Sequence, residues 1–262
     1  MLKYFCIFWM GFTTVFFAPY AYALLLFGHD RSWTFIRGTW AKLMLWAPGG
    51  RLVVQGKEHC DPSRATVFVS NHQSTLDIPA LLLAISPAQF RFVIKKVIRY
   101  VPLFGWYLVL AKNVFVDRAS RRSTAETLDK AAQQIKNGTS ILVFPEGTRS
   151  ATGEVLPFKK AMFAIPLRAG VSICPVAIEG TRHIQPKNSW NVQPGEIRVN
   201  IGAPIDPAPF GEDREALAKH VREKVIALHR EIGGLGGDLS NALDYERRPA
   251  GASRAAGEEA EA

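Results

Sequence analysis

The stretch FCIFWMGFTTVFFAPYAYALLLF at 5–27 carries no charged residue. It exceeds the roughly 20 apolar residues that a helix needs to cross a bilayer core. Three readings compete for it. Lys3 and the AYA at 21–23 resemble a secretory signal with its cleavage site, although cleavage would leave LLLF at the new terminus. A spanning helix kinked at Pro19 is the second reading. The third is a hairpin that enters one leaflet and returns, because SWTFIRGTWAKLMLWAP at 32–48 mixes aromatics and leucines with Arg37 and Lys42, as an interfacial helix does. The aromatic content favours a retained anchor and leaves spanning and monotopic arrangements open. Residues 1–48 are assigned to this membrane-associated helical segment.

A net charge of +9 needs an anionic partner or a solvated surface. No nucleic-acid-binding motif accompanies it, so nucleic acid is excluded as the expected partner. Anionic membrane lipids and phosphorylated substrates fit better beside an apolar anchor. Three cysteines, at 6, 60 and 174, have no metal-ligand spacing, which predicts a reduced domain facing the cytoplasm.

After Pro48-Gly49-Gly50 the pattern becomes short apolar runs alternating with amphipathic ones. Strands are predicted at 51–56, 65–70, 90–95, 113–118, 140–144, 171–178 and 196–202. Helices are predicted at 77–85, with Pro79 tolerated in the first turn, and at 121–138, closed by Gly138. Another is expected at 158–170, interrupted or bent by Pro166, and a last at 214–233 with Leu217, Val221, Val225 and Leu228 on one stripe. The alternation predicts an α/β fold: a central, mostly parallel sheet flanked by helices, behind an N-terminal helical membrane anchor. The catalytic unit covers 49–232. Residues 233–262, rich in Gly, Ala and charge, read as a disordered tail. No internal repeat is evident.

NHQSTLD at 71–77 leaves a strand and sets His72 and Asp77 five residues apart. Neighbours on a helical face are three or four apart, so only a turn brings these two together. Locally, Asp77 reads as the N-cap of the helix that Pro79 begins. Functionally, its carboxylate would orient the imidazole and make His72 a general base. The two roles can coexist. FPEGTRS at 144–150 follows another strand: Gly147 allows positive φ or close backbone approach, Arg149 offers a planar fork for phosphate, and Glu146 can accept from a substrate hydroxyl. VFVDR at 114–118 ends in a further carboxylate and cation, Asp117 and Arg118. No G-x-S-x-G elbow occurs, which argues against a hydrolase built on Ser74 or Cys174.

Together these motifs resemble the glycerolipid acyltransferases, specifically the 1-acyl-glycerol-3-phosphate (lysophosphatidic acid) acyltransferase family. NHQSTLD, KNVFVDR at 112–118, FPEGTRS and ICPVAI at 173–178 match four family blocks in order. VPLFGW at 101–106 and PFKKA at 157–161 are also similar, except that Ala161 replaces a frequent glycine. The resemblance implies that His72, held by Asp77, deprotonates the free hydroxyl of lysophosphatidic acid, which attacks an acyl thioester without a covalent acyl-enzyme. Glu146, Gly147, Thr148 and Arg149 would bind the acceptor, with Arg118 as a second phosphate contact. Pro175 would shape the acyl-donor groove. Lys95, Lys96, Lys159 and Lys160 are phosphate contacts or solvated lysines. The co-substrate would be acyl-CoA or acyl carrier protein; no metal or resident cofactor is called for. Other lyso-lipid acceptors, and a non-catalytic lipid-binding protein, are the competing readings.

Overall fold

The protein was analysed as a computed structural model that describes residues 2–86, 88–117, 121–189 and 191–238. Helix α1 (Leu2–Leu26) turns at Gly28 into a returning arm made of α2 (His29–Phe35), a π-helical turn (Ile36–Ala41) and α3 (Lys42–Trp46). The domain then runs β1 (Gly50–Gln55), β2 (Val67–Ser70), α4 (Asp77–Ala84), β3 (Phe90–Lys95), α5 (Phe104–Leu110) and β4 (Val114–Val116). It continues with α6 (Arg121–Lys136), β5 (Ser140–Val143), α7 (Ala164–Ala169), β6 (Ile173–Glu179), α8 (Thr181–Ile184), β7 (Gly195–Ile201) and α9 (Arg214–Glu231).

The strands form one sheet in the order β1-β7-β6-β2-β5-β3-β4. Every pairing is parallel except β6 with β7. The mostly parallel, helix-flanked sheet is thus borne out. Buried alternation drives it. Phe68 and Leu142 face one side with Leu81, Ile85 and Phe90. Val67, Val69, Ile141 and Val143 face the other with Leu128, Ile135, Val221 and Val225. The Leu217, Val221 and Val225 stripe of α9 is buried as its period requires.

Some elements differ from expectation for identifiable reasons. Pro166 does not bend a long helix: a 3₁₀ turn (Lys160–Phe163) ends and α7 starts at Ala164, which places the proline in a first turn, where its missing N–H costs nothing. Pro175 lies inside β6, next to the end of the β7 ladder, whose pairing starts at Val176–Ile201. Gly202 donates to the Pro175 carbonyl at 2.8 Å, beyond that register. Helix α5 went unread because its seven residues are apolar almost all round. The returning arm is no loose tether. Ala41 and Leu45 belong to the core on the α4 side, and Trp33, Ile36 and Trp40 pack against it.

The chain moves from β2 to one side of the sheet for β3, β4 and β5, then crosses to β6 on the other. Connections leaving a strand in opposite directions open a crevice at the carboxyl ends of the strands. Here that crevice lies over β2, between β5 and β6. Residues 233–238, assigned to the tail by composition, are laid on the domain, with Val155 N–H donating to the Gly236 carbonyl at 2.7 Å. The rest of the tail, 239–262, lies outside the described residues.

Candidate active site

The turn 71–76 leaves β2 at this crevice and folds back on itself. His72 Nδ1 lies 2.6 Å from Asp77 Oδ2. The same oxygen accepts the backbone N–H groups of Gln73 (2.6 Å) and Ser74 (2.9 Å), while Oδ1 accepts the Thr181 hydroxyl. Asp77 is completely buried. It is not the N-cap. Asp77 is the first helical residue, and its carboxylate turns upstream. The downstream groups a cap would serve are gone: Pro79 has no N–H, and that of Ala80 goes to the Leu76 carbonyl. With Nδ1 engaged, His72 Nε2 has no partner among the described residues, and the side chain is 18% exposed. The ring stacks on Phe144 with centroids 4.1 Å apart.

The neighbouring strands fix the backbone of this turn. The Asn71 side-chain amide ties the turn to β6, its Nδ2 donating to Ile178 O at 2.9 Å and its Oδ1 accepting from Ile178 N–H at 2.8 Å. From β5, the loop 144–150 holds both polar groups of His72. Glu146 Oε1 accepts its N–H at 3.2 Å, and Ser150 N–H donates to its carbonyl at 2.7 Å. Glu146 is 1% exposed and lies behind the histidine, so in this structure it cannot meet a substrate hydroxyl directly. Burial raises its carboxyl well above the usual range, the His72 N–H opposes this, and the Asp77 charge adds to it. Gly147, at φ 73°, makes the turn that sends the chain on to Arg149. Arg149 is half-buried, makes no ion pair among the described residues, and directly precedes Ser150. Thr148 accepts from Lys187 Nζ at 3.3 Å. A cavity of about 130 Å³ beside Phe144 is lined largely by apolar groups such as Val93, Val143 and Met162, with Lys159 among them.

A family model described as acyltransferase matches residues 51–179, from β1 to the last residue of β6. The 1-acyl-sn-glycerol-3-phosphate acyltransferase alpha of Homo sapiens is 30% identical over 207 residues, covering 78% of this chain and 71% of that protein. The crystal structure of the 1-acyl-sn-glycerophosphate (LPA) acyltransferase PlsC from Thermotoga maritima matches with a TM-score of 0.78 at 32% identity, covering 88% of this chain and 94% of that one. The chain belongs to the 1-acyl-glycerol-3-phosphate acyltransferase family. Chloroplastic 1-acyl-sn-glycerol-3-phosphate acyltransferase BAT2 of Brassica napus is 36% identical over 194 residues, 73% of this chain and 54% of that protein. The chain therefore spans little more than half the length of such plant members of the family.

Not every residue that the family blocks nominate reaches the crevice. Pro175 is buried within β6 and pairs with Val69 of β2, three residues before His72, or about 10 Å back along a strand. Arg118 lies outside the described residues. Lys96 pairs with Asp117 at 3.1 Å and Lys160 with Glu215 at 3.2 Å, while Lys95 is exposed. Ser74 is buried and donates to the Gln185 carbonyl at 2.8 Å. Cys174 is also buried, which pushes its thiol far up.

Sequence reading missed one part of this candidate site, although a signal was present. The tetrapeptide EGTR occurs twice, at 146–149 after β5 and at 179–182, beginning on the last residue of β6. Each glycine has positive φ, 73° at Gly147 and 95° at Gly180. A Cβ on Gly180 would lie 2.0 Å from the Glu196 carbonyl oxygen. The strands carrying the two copies flank β2, so one glutamate stands on each side of the His72 turn.

Proposed function

We propose that the chain transfers an acyl group from an acyl thioester to the free sn-2 hydroxyl of 1-acyl-glycerol-3-phosphate, forming phosphatidic acid. One observation carries the mechanism: His72 Nδ1 is held 2.6 Å from a buried carboxylate while Nε2 is left free at the crevice. A proton fixed on Nδ1 leaves the Nε2 lone pair as the base. Nε2 takes the hydroxyl proton as the lipid oxygen attacks the thioester carbonyl. The tetrahedral intermediate then breaks its C–S bond, and the imidazolium returns the proton to the departing thiolate. Burial of Ser74 and Cys174 is consistent with direct transfer. Arg149 is the phosphate anchor in this reading, supported by its open guanidinium and its place beside the His72 backbone. Glu146 acts through the His72 N–H rather than on the glycerol. The apolar cavity beside Phe144 suits part of an acyl chain.

The same reading sets the enzyme on one leaflet, facing the cytoplasm. Among the described residues α1 is the one helix long and apolar enough to cross a membrane. It is fastened lengthwise to the rest of the fold: Trp9 Nε1 donates to Leu43 O at 3.2 Å, and Tyr22 Oη to Leu103 O at 2.7 Å. Its outer side carries Tyr4, Phe8, Phe12, Phe16 and Tyr20, and near the Tyr22 end Trp106, Val109 and Leu110 are exposed as well. A helix tied along its length to a polar domain lies in the interface rather than across the bilayer.

The test is turnover of the purified protein in liposomes, with acyl-CoA and acyl carrier protein as donors. Lysophosphatidic acid is compared with neutral lyso-acceptors, and His72→Ala serves as the blank. Phosphatidic acid formation that is lost in His72→Ala is the expected result. Preference for a neutral acceptor would overturn the substrate assignment, and activity surviving in His72→Ala would overturn the mechanism.

A further inference from the structure

The second EGTR copy leads to a buried cluster that the acyl-transfer mechanism does not use. Glu179 is 4% exposed, and its Oε2 accepts from His229 Nε2 at 2.7 Å and from Gln73 Nε2 at 2.9 Å. The second amide hydrogen of Gln73 goes to Gly153 O at 3.2 Å. His229, fully buried on α9, accepts the Gly236 N–H on Nδ1 at 3.1 Å. That acceptor role leaves the ring proton on Nε2, aimed at the carboxylate. Gln73 is itself fully buried, and it lies between His72 and Asp77. Its backbone N–H reaches Asp77 Oδ2 at 2.6 Å, the oxygen that also holds His72.

A glutamine side chain carries several freely rotating bonds, and fixing them has an entropic cost. Here it is held at the amide by an ionised carboxylate, and hydrogen bonds to charged groups are the stronger kind. The carboxylate is in turn held by a histidine whose tautomer is set from the far side. Two residues further on, Thr181 binds the other oxygen of Asp77. The end of β6 therefore grips both the carboxylate that orients His72 and the residue that presents an N–H to it.

We infer that Glu179 and His229 form a positioning pair that, through the Gln73 side chain, holds the 72–74 turn so that Asp77 Oδ2 stays aligned on His72 Nδ1. Neither residue touches substrate. The inference rests on the acyl-transfer reading above and extends it to a third strand end and the C-terminal helix. A methionine at 179 offers no acceptor to the His229 Nε2–H or to the Gln73 amide, both of which go to Oε2. Glu179→Met thus breaks the link while nearly preserving volume. Gln73→Met removes the amide from the opposite end and keeps the backbone N–H.

The experiment measures kcat and acceptor KM for Glu179→Met, Gln73→Met and the double variant, at temperatures where circular dichroism shows each folded. Each single variant is expected to lose roughly 10–100-fold in kcat, the scale of one hydrogen bond to a charge, with acceptor KM nearly unchanged. The double variant should be no worse than the poorer single, because both cut one chain of contacts. Wild-type kcat in either folded single variant, or additive losses in the double, would overturn the inference. If Glu179→Met does not fold, Gln73→Met decides alone. Wild-type protein that fails to acylate lysophosphatidic acid would instead overturn the functional reading, so the two failures are distinguishable.

Discussion

Asp77 shows how much one carboxylate can carry. Its Oδ2 receives the His72 ring and two backbone N–H groups, and its Oδ1 the Thr181 hydroxyl. Asparagine retains one acceptor oxygen but presents an amide where the other stood, and it has no charge to stabilise an imidazolium. Asp77→Asn should therefore lower kcat by about 10²–10⁴-fold, the usual range for disabling general-base catalysis, with acceptor KM little changed. Steady-state kinetics on the folded variant checks this, and near-wild-type turnover would remove the carboxylate from catalysis. Arg149 has the opposite signature. With no ion-pair partner among the described residues, its loss should leave the fold intact. Arg149→Ala is expected to raise KM for lysophosphatidic acid at least about 10-fold, as loss of a charge-assisted contact does, with a much smaller change for a neutral lyso-acceptor. Equal changes for both acceptors would place the phosphate elsewhere. The Asp77 pairing was anticipated from the five-residue spacing. The inward turn of Glu146 was not, because a carboxylate in a turn looks the same in sequence whether it points to solvent or to a neighbouring backbone.

At the scale of elements, the two arms of the N-terminal hairpin are unequal. Helix α1 buries Cys6, Thr13 and Ala21, whereas the returning arm contributes Ala41, Met44 and Leu45 to the interior and supports Phe90 through Trp33. Each fully buried aliphatic side chain is worth about 1.5–3 kcal/mol. Stripping the returning arm therefore consumes much of the ~5–15 kcal/mol that keeps a domain folded. Deleting 2–27 should release the protein from liposomes in flotation and leave cooperative thermal unfolding. Deleting 2–47 should abolish that transition. A 2–27 deletion that still floats with liposomes would show that α1 is dispensable for attachment. Apolarity alone marked both arms as one anchor, since sequence cannot tell an aromatic facing lipid from one facing a sheet.

Across the whole molecule, the two EGTR glutamates pull stability in opposite directions with pH. Burial pushes the Glu179 carboxyl up, but hydrogen bonds from His229 and Gln73 outweigh it, and it rests at about 2 against an ordinary 4.5. Between those values the unfolded chain binds the extra proton. The stabilisation, no more than about 3 kcal/mol, is present above 4.5 and lost as pH falls toward 2. Glu146, raised by burial, behaves in reverse: its contribution is complete below 4.5 and declines as pH climbs through its folded value. The urea midpoint should thus fall on acidification below 4.5, and Glu179→Gln should flatten that fall. An identical acid limb in the variant would sink this account. Strand and helix periods, the proline and glycine stops and the four motif blocks are local properties, so the seven strands, the helices α4, α6, α7 and α9 and the His72–Asp77 turn were legible from the chain itself. Strand order was not, because pairing depends on which apolar faces meet across the sheet. Only the tertiary structure set β2 between β5 and β6, and with that neighbourhood came the two glutamates, the Thr181 hydroxyl and the distant His229, whose roles depend on what lies beside them in space rather than in sequence.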